Sequence, residues 1–328
     1  MIEIAQGKRP MPTTLARRHH YVPCLLLAQW ARPPNRNGLL YELTLDAGVV
    51  TETKPDGVAW ERDLYAIGDP ASPDLVIEAL LATVEGYAVD PLRGLATCPA
   101  SLTSEDRYVV ALFLALQQGR TPVGLAQHKI VARMAAEQAL RASLRDKEGV
   151  TKRYREKVNP LATESEIREF AVEQLRALHR GDLKIDLPDE APHQAMWASV
   201  SRVAFDVAAS DWTLLKRPGE YVEFIASDRG LSMWDPNLGP SQGNGWATSP
   251  TAETMIPISP SVCLRVMPGT AGYSVETASD ASVAEINLRT YGWAETAIVG
   301  SAKSSLVEVY ETAKAQPGLV PIPQVPRG

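Results

Sequence analysis

A long segment with helical periodicity lies between two shorter segments with β-strand patterns, and this order limits the folds open to the chain. The helical middle runs from about residue 74 to residue 209. Before it, residues 40–53 contain two strand-like runs around a turn, which is typical of a hairpin. After it, residues 221–226 and 262–266 have strand patterns. We therefore predict a mostly helical single α+β domain, with a small antiparallel sheet formed by the N-terminal hairpin and the C-terminal strands.

Several local signals place the ends of the predicted helices. Thr163 and Glu166 have the spacing of a capping box and predict a helix that reaches about residue 179. Ser72, followed by proline, predicts a helix start, and Pro91 predicts the end of that helix. Apolar residues at helical spacing predict a last helix over residues 281–298.

Charge and proline content divide the 328 residues into three predicted parts. The net charge of −6 argues against nonspecific binding to duplex DNA, although residues 1–18 and 141–157 are locally basic. Prolines are concentrated near the C-terminus. We predict a basic arm at residues 1–18, one domain at residues 19–312 and a Pro-rich tail at residues 313–328.

Cysteine use and hydropathy predict the cellular location. The three cysteines are far apart and have no C-x-x-C spacing, which argues against a disulfide framework and a zinc knuckle. The longest apolar runs, such as residues 109–116, are shorter than the roughly 20 residues that a bilayer requires. The N-terminus lacks the apolar core of a signal peptide. The sequence therefore predicts a cytoplasmic protein without a membrane span.

The adjacent histidines His19 and His20 form the most informative motif, because the chain has only five histidines. Imidazole has a pKa near neutrality and is the commonest metal ligand in proteins. The pair follows two arginines and precedes Tyr-Val-Pro at residues 21–23. A metal or acid–base site is one interpretation, and packing of the histidines as satisfied polar groups is the other.

Five further polar residues interrupt or follow apolar runs. Such groups need partners when they are buried, and they are also the groups from which sites are built. Glu85 lies within an apolar helical stripe, and Asp228 follows a predicted strand directly. The others lie at the end of an apolar helix or on the inner edge of the last helix: Gln118, Arg120 and Asn287.

The standard catalytic motifs do not fit this chain. Residues 239–243 match G-x-S-x-G, but loop residues flank them and no histidine follows to complete a triad in the usual order. The sequence contains no phosphate-binding loop, no dinucleotide fingerprint and no H-E-x-x-H motif. NTP hydrolysis, dinucleotide chemistry and zincin-type proteolysis therefore lack their signatures.

Four blocks together resemble a bacterial family named after its His-His-Tyr-Val-Pro opening, domain of unknown function 4238. The blocks are residues 19–23, the helix around Glu85, residues 114–122 and residues 224–228. The chain differs from the family pattern at Cys24, where relatives have Gln, and after Asp228, where relatives often have Asn-Pro. The resemblance covers most of the chain and implies one pocket that gathers His19, His20, Glu85, Gln118, Arg120, Asp228 and Asn287.

This grouping leads to two hypotheses of different classes. The first is a hydrolase, a metal-dependent nuclease or phosphodiesterase that acts on nucleic acid or a phosphate-bearing small molecule. Its catalytic residues are His20, Glu85 and Asp228; its substrate-binding residues are Arg120, Gln118 and Asn287; its ligands for a divalent metal are His19, His20 and Asp228. The second is a noncatalytic binding or regulatory module in which the same residues form a structural polar network. The sequence leaves the substrate, the metal and the oligomeric state open.

Overall fold

The computed structural model of the chain describes residues 17–69, 71–237 and 249–319. The helices within these ranges are α1 Cys24–Leu27, α2 Val76–Ala96, α3 Ser104–Arg120, α4 Pro122–Arg145, α5 Lys147–Lys157, α6 Glu164–Arg180, α7 Ala191–Ala209, α8 Asp280–Trp293 and α9 Lys303–Ala315. The strands within them are β1 Arg18–His20, β2 Leu40–Thr44, β3 Val50–Thr53, β4 Trp60–Arg62, β5 Asp211–Lys216, β6 Ala226–Ser227, β7 Ser232–Trp234, β8 Glu253–Ser259, β9 Val262–Met267, β10 Tyr273–Thr277 and β11 Ala297–Gly300. No described helix combines the length and the apolar content needed to cross a bilayer.

The chain divides into two compact units. One takes its described residues from 1–124 and 199–328, and the other is formed by residues 125–198. The single domain at residues 19–312 stays a prediction. Most of the predicted arm and tail lies outside the described residues, although α9 extends into the tail as far as Ala315.

The predicted antiparallel sheet joins the two ends of the chain. Its strand order is β3-β2-β11-β6, and Ile298 at its centre pairs with Leu43 on one side and with Ser227 on the other. Leu43 and Ile298 are buried in a cluster with Leu306 of α9. The predicted helix over residues 281–298 is wrong at its end, since α8 stops at Trp293 and residues 297–300 form a strand.

A second, five-stranded sheet was not predicted, so the fold contains more sheet than the sequence patterns indicated. The predicted strand at residues 262–266 belongs to this sheet as β9, and its predicted place in the sheet of the hairpin is wrong. Its order is β10-β5-β9-β8-β7, and β10 runs parallel to β5 while the other pairs are antiparallel. Apolar residues of this sheet pack with α2 and α3, as Leu95, Phe113, Leu214 and Leu264 show. Strands β5 and β8 were missed because they are buried along most of their length, which removes the alternating pattern.

Helix α2 continues through Pro91 to Ala96 instead of ending at the proline. Proline removes one helical hydrogen bond, and the carbonyl that loses it belongs to Tyr87, which is exposed to solvent. Leu92 and Leu95 beyond the proline are buried. Their burial stabilises the last turns and offsets the cost of the break.

The unit of residues 125–198 is helical in its described part. A small core of Val150, Ala162, Ile167 and Ala171 holds α5 and α6 together. The predicted capping box is present: the Thr163 hydroxyl accepts from the backbone N–H of Glu166, whose carboxylate accepts from the N–H of Thr163. Helix α6 therefore begins where the sequence predicted.

Candidate functional site

The adjacent histidines point in different directions because they lie on a strand. β1 pairs with β4, so alternate side chains face opposite sides, and His19 is fully buried while His20 is half-buried. The His19 ring stacks on Tyr65 with 5.4 Å between ring centroids. Its Nδ1 accepts a hydrogen bond of 2.9 Å from the backbone N–H of Tyr65. One ring nitrogen of His19 is therefore used inside the protein.

Arg120, the last residue of α3, connects three parts of the fold. Its guanidinium donates to Glu85 of α2 at 2.6 Å and to the backbone carbonyl of His20 at 2.6 Å. Its Nε lies 3.4 Å from the Tyr65 hydroxyl, which itself donates to the Arg120 carbonyl at 2.8 Å. The Arg120 side chain is only 3% exposed. Burial acts to lower the pKa of Arg120, but Tyr65 and Glu85 raise it, so the group is charged and already paired.

His20 and Cys24 are neutral groups beside this ion pair. The His20 Nε2 donates to the Asp56 carbonyl at 3.2 Å, and burial lowers the pKa of the imidazole although Asp56 and Glu85 act in the opposite direction. Burial also raises the pKa of the Cys24 thiol to about 11. With Nε2 protonated, the neutral His20 ring keeps Nδ1 as its basic atom. The arrangement offers a weak base and an unreactive thiol.

Both carboxylate oxygens of Asp228 accept hydrogen bonds from the loop that precedes β11. They accept hydrogen bonds from the backbone N–H groups of Glu295 at 2.8 Å, Thr296 at 2.6 Å and Ala297 at 3.1 Å, and from the Thr296 hydroxyl at 2.7 Å. Burial raises the pKa of the Asp228 carboxyl, and these hydrogen bonds act against the rise. Asp228 therefore fixes the path of the backbone between α8 and β11.

Asn287 has a similar structural task on the inner side of α8. Its Oδ1 accepts from the backbone N–H of Ile225 at 3.0 Å, and its Nδ2 donates to the carbonyl of Glu223 at 2.8 Å. The side-chain amide of Asn287 thus pairs backbone N–H and C=O groups of the extended segment that leads into β6. The expectation that this buried amide needs a partner is correct, and the partner is the backbone.

Gln117 is a network residue that the sequence analysis passed over in favour of Gln118. The Gln117 Nε2 donates to the backbone carbonyls of Tyr21 at 2.8 Å and Arg229 at 3.1 Å. The Gln118 Nε2 lies 3.9 Å from the sulfur of Met233. The missed signal is spacing, because Gln117 and Arg120 are three residues apart and share a helix face, whereas Gln118 is turned away.

A second polar cluster, unforeseen in the sequence, lies next to Asp228. Arg229 is 3.4 Å from Glu295 through its Nε, and its guanidinium covers the Trp293 ring at 4.8 Å from the ring centroid. Burial raises the pKa of Glu295 to about 7, although Arg229 lowers it. Burial and the charges of Asp228 and Glu295 raise the pKa of Tyr21. No sequence signal marked Glu295, because the prediction placed it inside a helix.

The structure brings together part of the predicted site. His20, Glu85 and Arg120 are in contact through the guanidinium, whereas Asp228, Asn287 and Gln118 each contact other segments. Within residues 17–69, 71–237 and 249–319, no three or more His, Cys, Asp or Glu side chains are grouped so that they could hold a metal ion. The predicted ligands His19, His20 and Asp228 are accordingly not assembled into a three-ligand group.

Comparison with known proteins gives a family and no further relatives. Residues 18–304 match the family described as Protein of unknown function (DUF4238), which confirms the resemblance drawn from the sequence blocks. No curated protein and no solved structure matches the chain.

Proposed function

The chain belongs to the DUF4238 family, whose description names no activity, and from its geometry we propose that it is a noncatalytic binding or regulatory module. In this proposal the motif residues of the chain form a polar network that holds the fold. Ligand binding is then the task of other surfaces of the molecule.

The observation that carries the proposal is the internal pairing of three predicted site residues that are buried. Arg120, Asp228 and Asn287 are each less than 5% exposed, and each directs its polar atoms to the protein's own backbone or to a paired side chain. A substrate-binding arginine or a catalytic carboxylate has to direct donors or acceptors at the substrate, and here these atoms are already directed at the protein. Using these residues on a substrate would require breaking several internal hydrogen bonds, each with a net worth of about 1 kcal/mol.

A cleavage screen combined with stability measurements tests this proposal. The full chain is incubated with single-stranded DNA, RNA and small phosphodiesters, with and without divalent metal ions. We expect no turnover, together with a large loss of stability in Asp228→Asn. Turnover that disappears in His20→Ala while the melting temperature is unchanged would overturn the module proposal.

A hydrolase, either a nuclease or a phosphodiesterase, is the second candidate, and the state of His20 favours it. The imidazole is half-buried, burial lowers its pKa and keeps it neutral, and the charge of the partly exposed Glu85 acts on it in the opposite direction. A neutral imidazole beside a carboxylate is suited to general base chemistry. Under this candidate, Glu85→Gln and His20→Ala reduce turnover in the same screen.

We further propose a cytoplasmic location, which the state of the cysteines supports. Cys24, Cys98 and Cys263 are all free thiols. Free thiols are usual in reducing compartments, where disulfides are rare. Fractionation of cells that express the tagged full-length chain tests this location.

A further inference from the structure

A groove of about 410 Å³ lies between α8 and α9 and is bordered by residues 221–223. This volume falls within the range of pockets that hold small ligands. Asn287 and Glu223, which are bonded to each other, also line this groove, whereas His20, Glu85, Arg120 and Asp228 are not among its lining residues. The groove is therefore separate from the contacts of Arg120 and Asp228.

The charged side chains that line the groove are all acidic in the described residues: Glu223, Asp280 and Glu308. Two of them are partly compensated. The Glu223 carboxylate accepts from the backbone N–H groups of Ser301 and Ala302 at the start of α9, and Asp280 lies in the first turn of α8. Each helix start carries roughly half a positive charge, which leaves about two negative charges in the groove. The groove is thus suited to a cation.

The walls of the groove also suit an aliphatic chain and a flat group. Val222, Leu288 and Val309 contribute apolar surface. Tyr221 borders the groove and is fully exposed, at 101% of its reference area. An aromatic ring that is left in water is a frequent anchor for a partner, and its face attracts cations.

We propose that this groove binds an organic cation, namely an ammonium or guanidinium group on an aliphatic chain. The charged head pairs with Asp280 and Glu308, the chain packs on Leu288 and Val309, and Tyr221 covers the cation. The inference deepens the proposed function and rests on it for its biological meaning, since a binding module needs a ligand. The ligand is either a free small molecule or a lysine or arginine side chain of a partner.

The test is a titration of the full chain with matched probes, followed by protein-observed NMR. The cationic probes are n-butylguanidinium and n-butylamine, and the control of similar size and opposite charge is butyrate. We expect saturable shifts for the cations, with a dissociation constant on the order of millimolar for so few atoms, and no saturable shift for butyrate. A blocked Gly-Arg-Gly peptide distinguishes the two sources: tighter binding than butylguanidinium indicates a partner side chain, and weaker binding indicates a free small molecule.

Substitutions connect the binding to this groove. Glu308→Gln is expected to weaken butylguanidinium about two- to fivefold, and Tyr221→Ala by a similar factor. Glu308→Arg is expected to abolish saturable binding. Glu311→Gln removes a carboxylate from the same helix outside the groove and is expected to change nothing. Equal binding of butyrate, or equal effects of Glu308→Gln and Glu311→Gln, overturns the inference.

The results distinguish failure of the groove proposal from failure of the proposed function. Absence of cation binding, with no turnover in the cleavage screen, removes the groove site and leaves the polar network as proposed. Cation binding together with turnover that depends on His20 retains the groove site and removes the noncatalytic module.

Discussion

Replacing Asp228 by asparagine is the sharpest perturbation of the polar network. Asparagine has nearly the same shape, but one carboxylate oxygen becomes an NH₂ group. The wild-type oxygens accept three hydrogen bonds at Oδ2 and one at Oδ1, all from Glu295, Thr296 and Ala297. Because each oxygen accepts from at least one backbone N–H group, an NH₂ group at either position faces a donor to which it cannot bond.

The expected cost follows from these four hydrogen bonds. With the amide oxygen at the Oδ2 position, three charge-assisted bonds become neutral ones, each weaker by about 1 kcal/mol. The N–H of Glu295 loses its acceptor, which costs about 1–3 kcal/mol when the group is buried. Removal of the buried charge of Asp228 offsets part of the loss. We expect a net decrease of about 3 kcal/mol in the free energy of unfolding.

Urea denaturation at pH 7 measures this loss, and amide hydrogen exchange locates it. Exchange should accelerate first at residues 295–298. Thr296→Val is the control, because it removes only the hydroxyl donor and should cost about 1 kcal/mol or less. A loss below 1 kcal/mol in Asp228→Asn, or unchanged exchange at these residues, would refute the structural role of the carboxylate.

The other predictions concern the ion pair and two titrating groups. Arg120→Met should destabilise the protein by about 3–5 kcal/mol because Glu85 loses its partner, and thermal melts should show Arg120→Met/Glu85→Met to be less destabilised than the single variant. Glu295 has a folded pKa of about 7 against an ordinary value of 4.5, so the unfolded state releases its proton first. Stability should therefore fall by about 3 kcal/mol as the pH rises from about 4.5 to 7, and Glu295→Gln should remove that part of the pH dependence in urea titrations. The Cys24 thiol, with its pKa raised to about 11, should react with iodoacetamide at pH 8 about 100 times more slowly than a free cysteine, and rapid alkylation in the folded protein would contradict its burial.

The sequence could predict the contact of His20, Glu85 and Arg120, because each is a polar group beside an apolar run and such groups pair when buried. It could not predict the partners of Asp228 and Asn287. Those partners are backbone N–H and C=O groups, which every residue carries and which leave no pattern in the side chains.

The two sheets likewise contain features that the sequence could predict and features that it could not. The hairpin at residues 40–53 was predictable from local alternation and a turn. The position of β11 beside the hairpin was not predictable. A short apolar run after a helix has the composition of either a helix end or a buried strand. The parallel pairing of β10 with β5 depends on contacts about 60 residues apart in the chain.

The pairing of β2 with β11 also determines when the protein can finish folding during synthesis. Leu43 lies opposite Ile298, so one edge of the hairpin has no neighbour until residues 297–300 have been made. At roughly 5–20 residues per second, the ribosome takes roughly 10–50 s to add the intervening residues. During that time the nascent chain carries an open strand edge, to which another chain can add. Chaperone contact with the hairpin is therefore expected to be longest in this interval, and a stop codon before residue 297 leaves the edge open permanently.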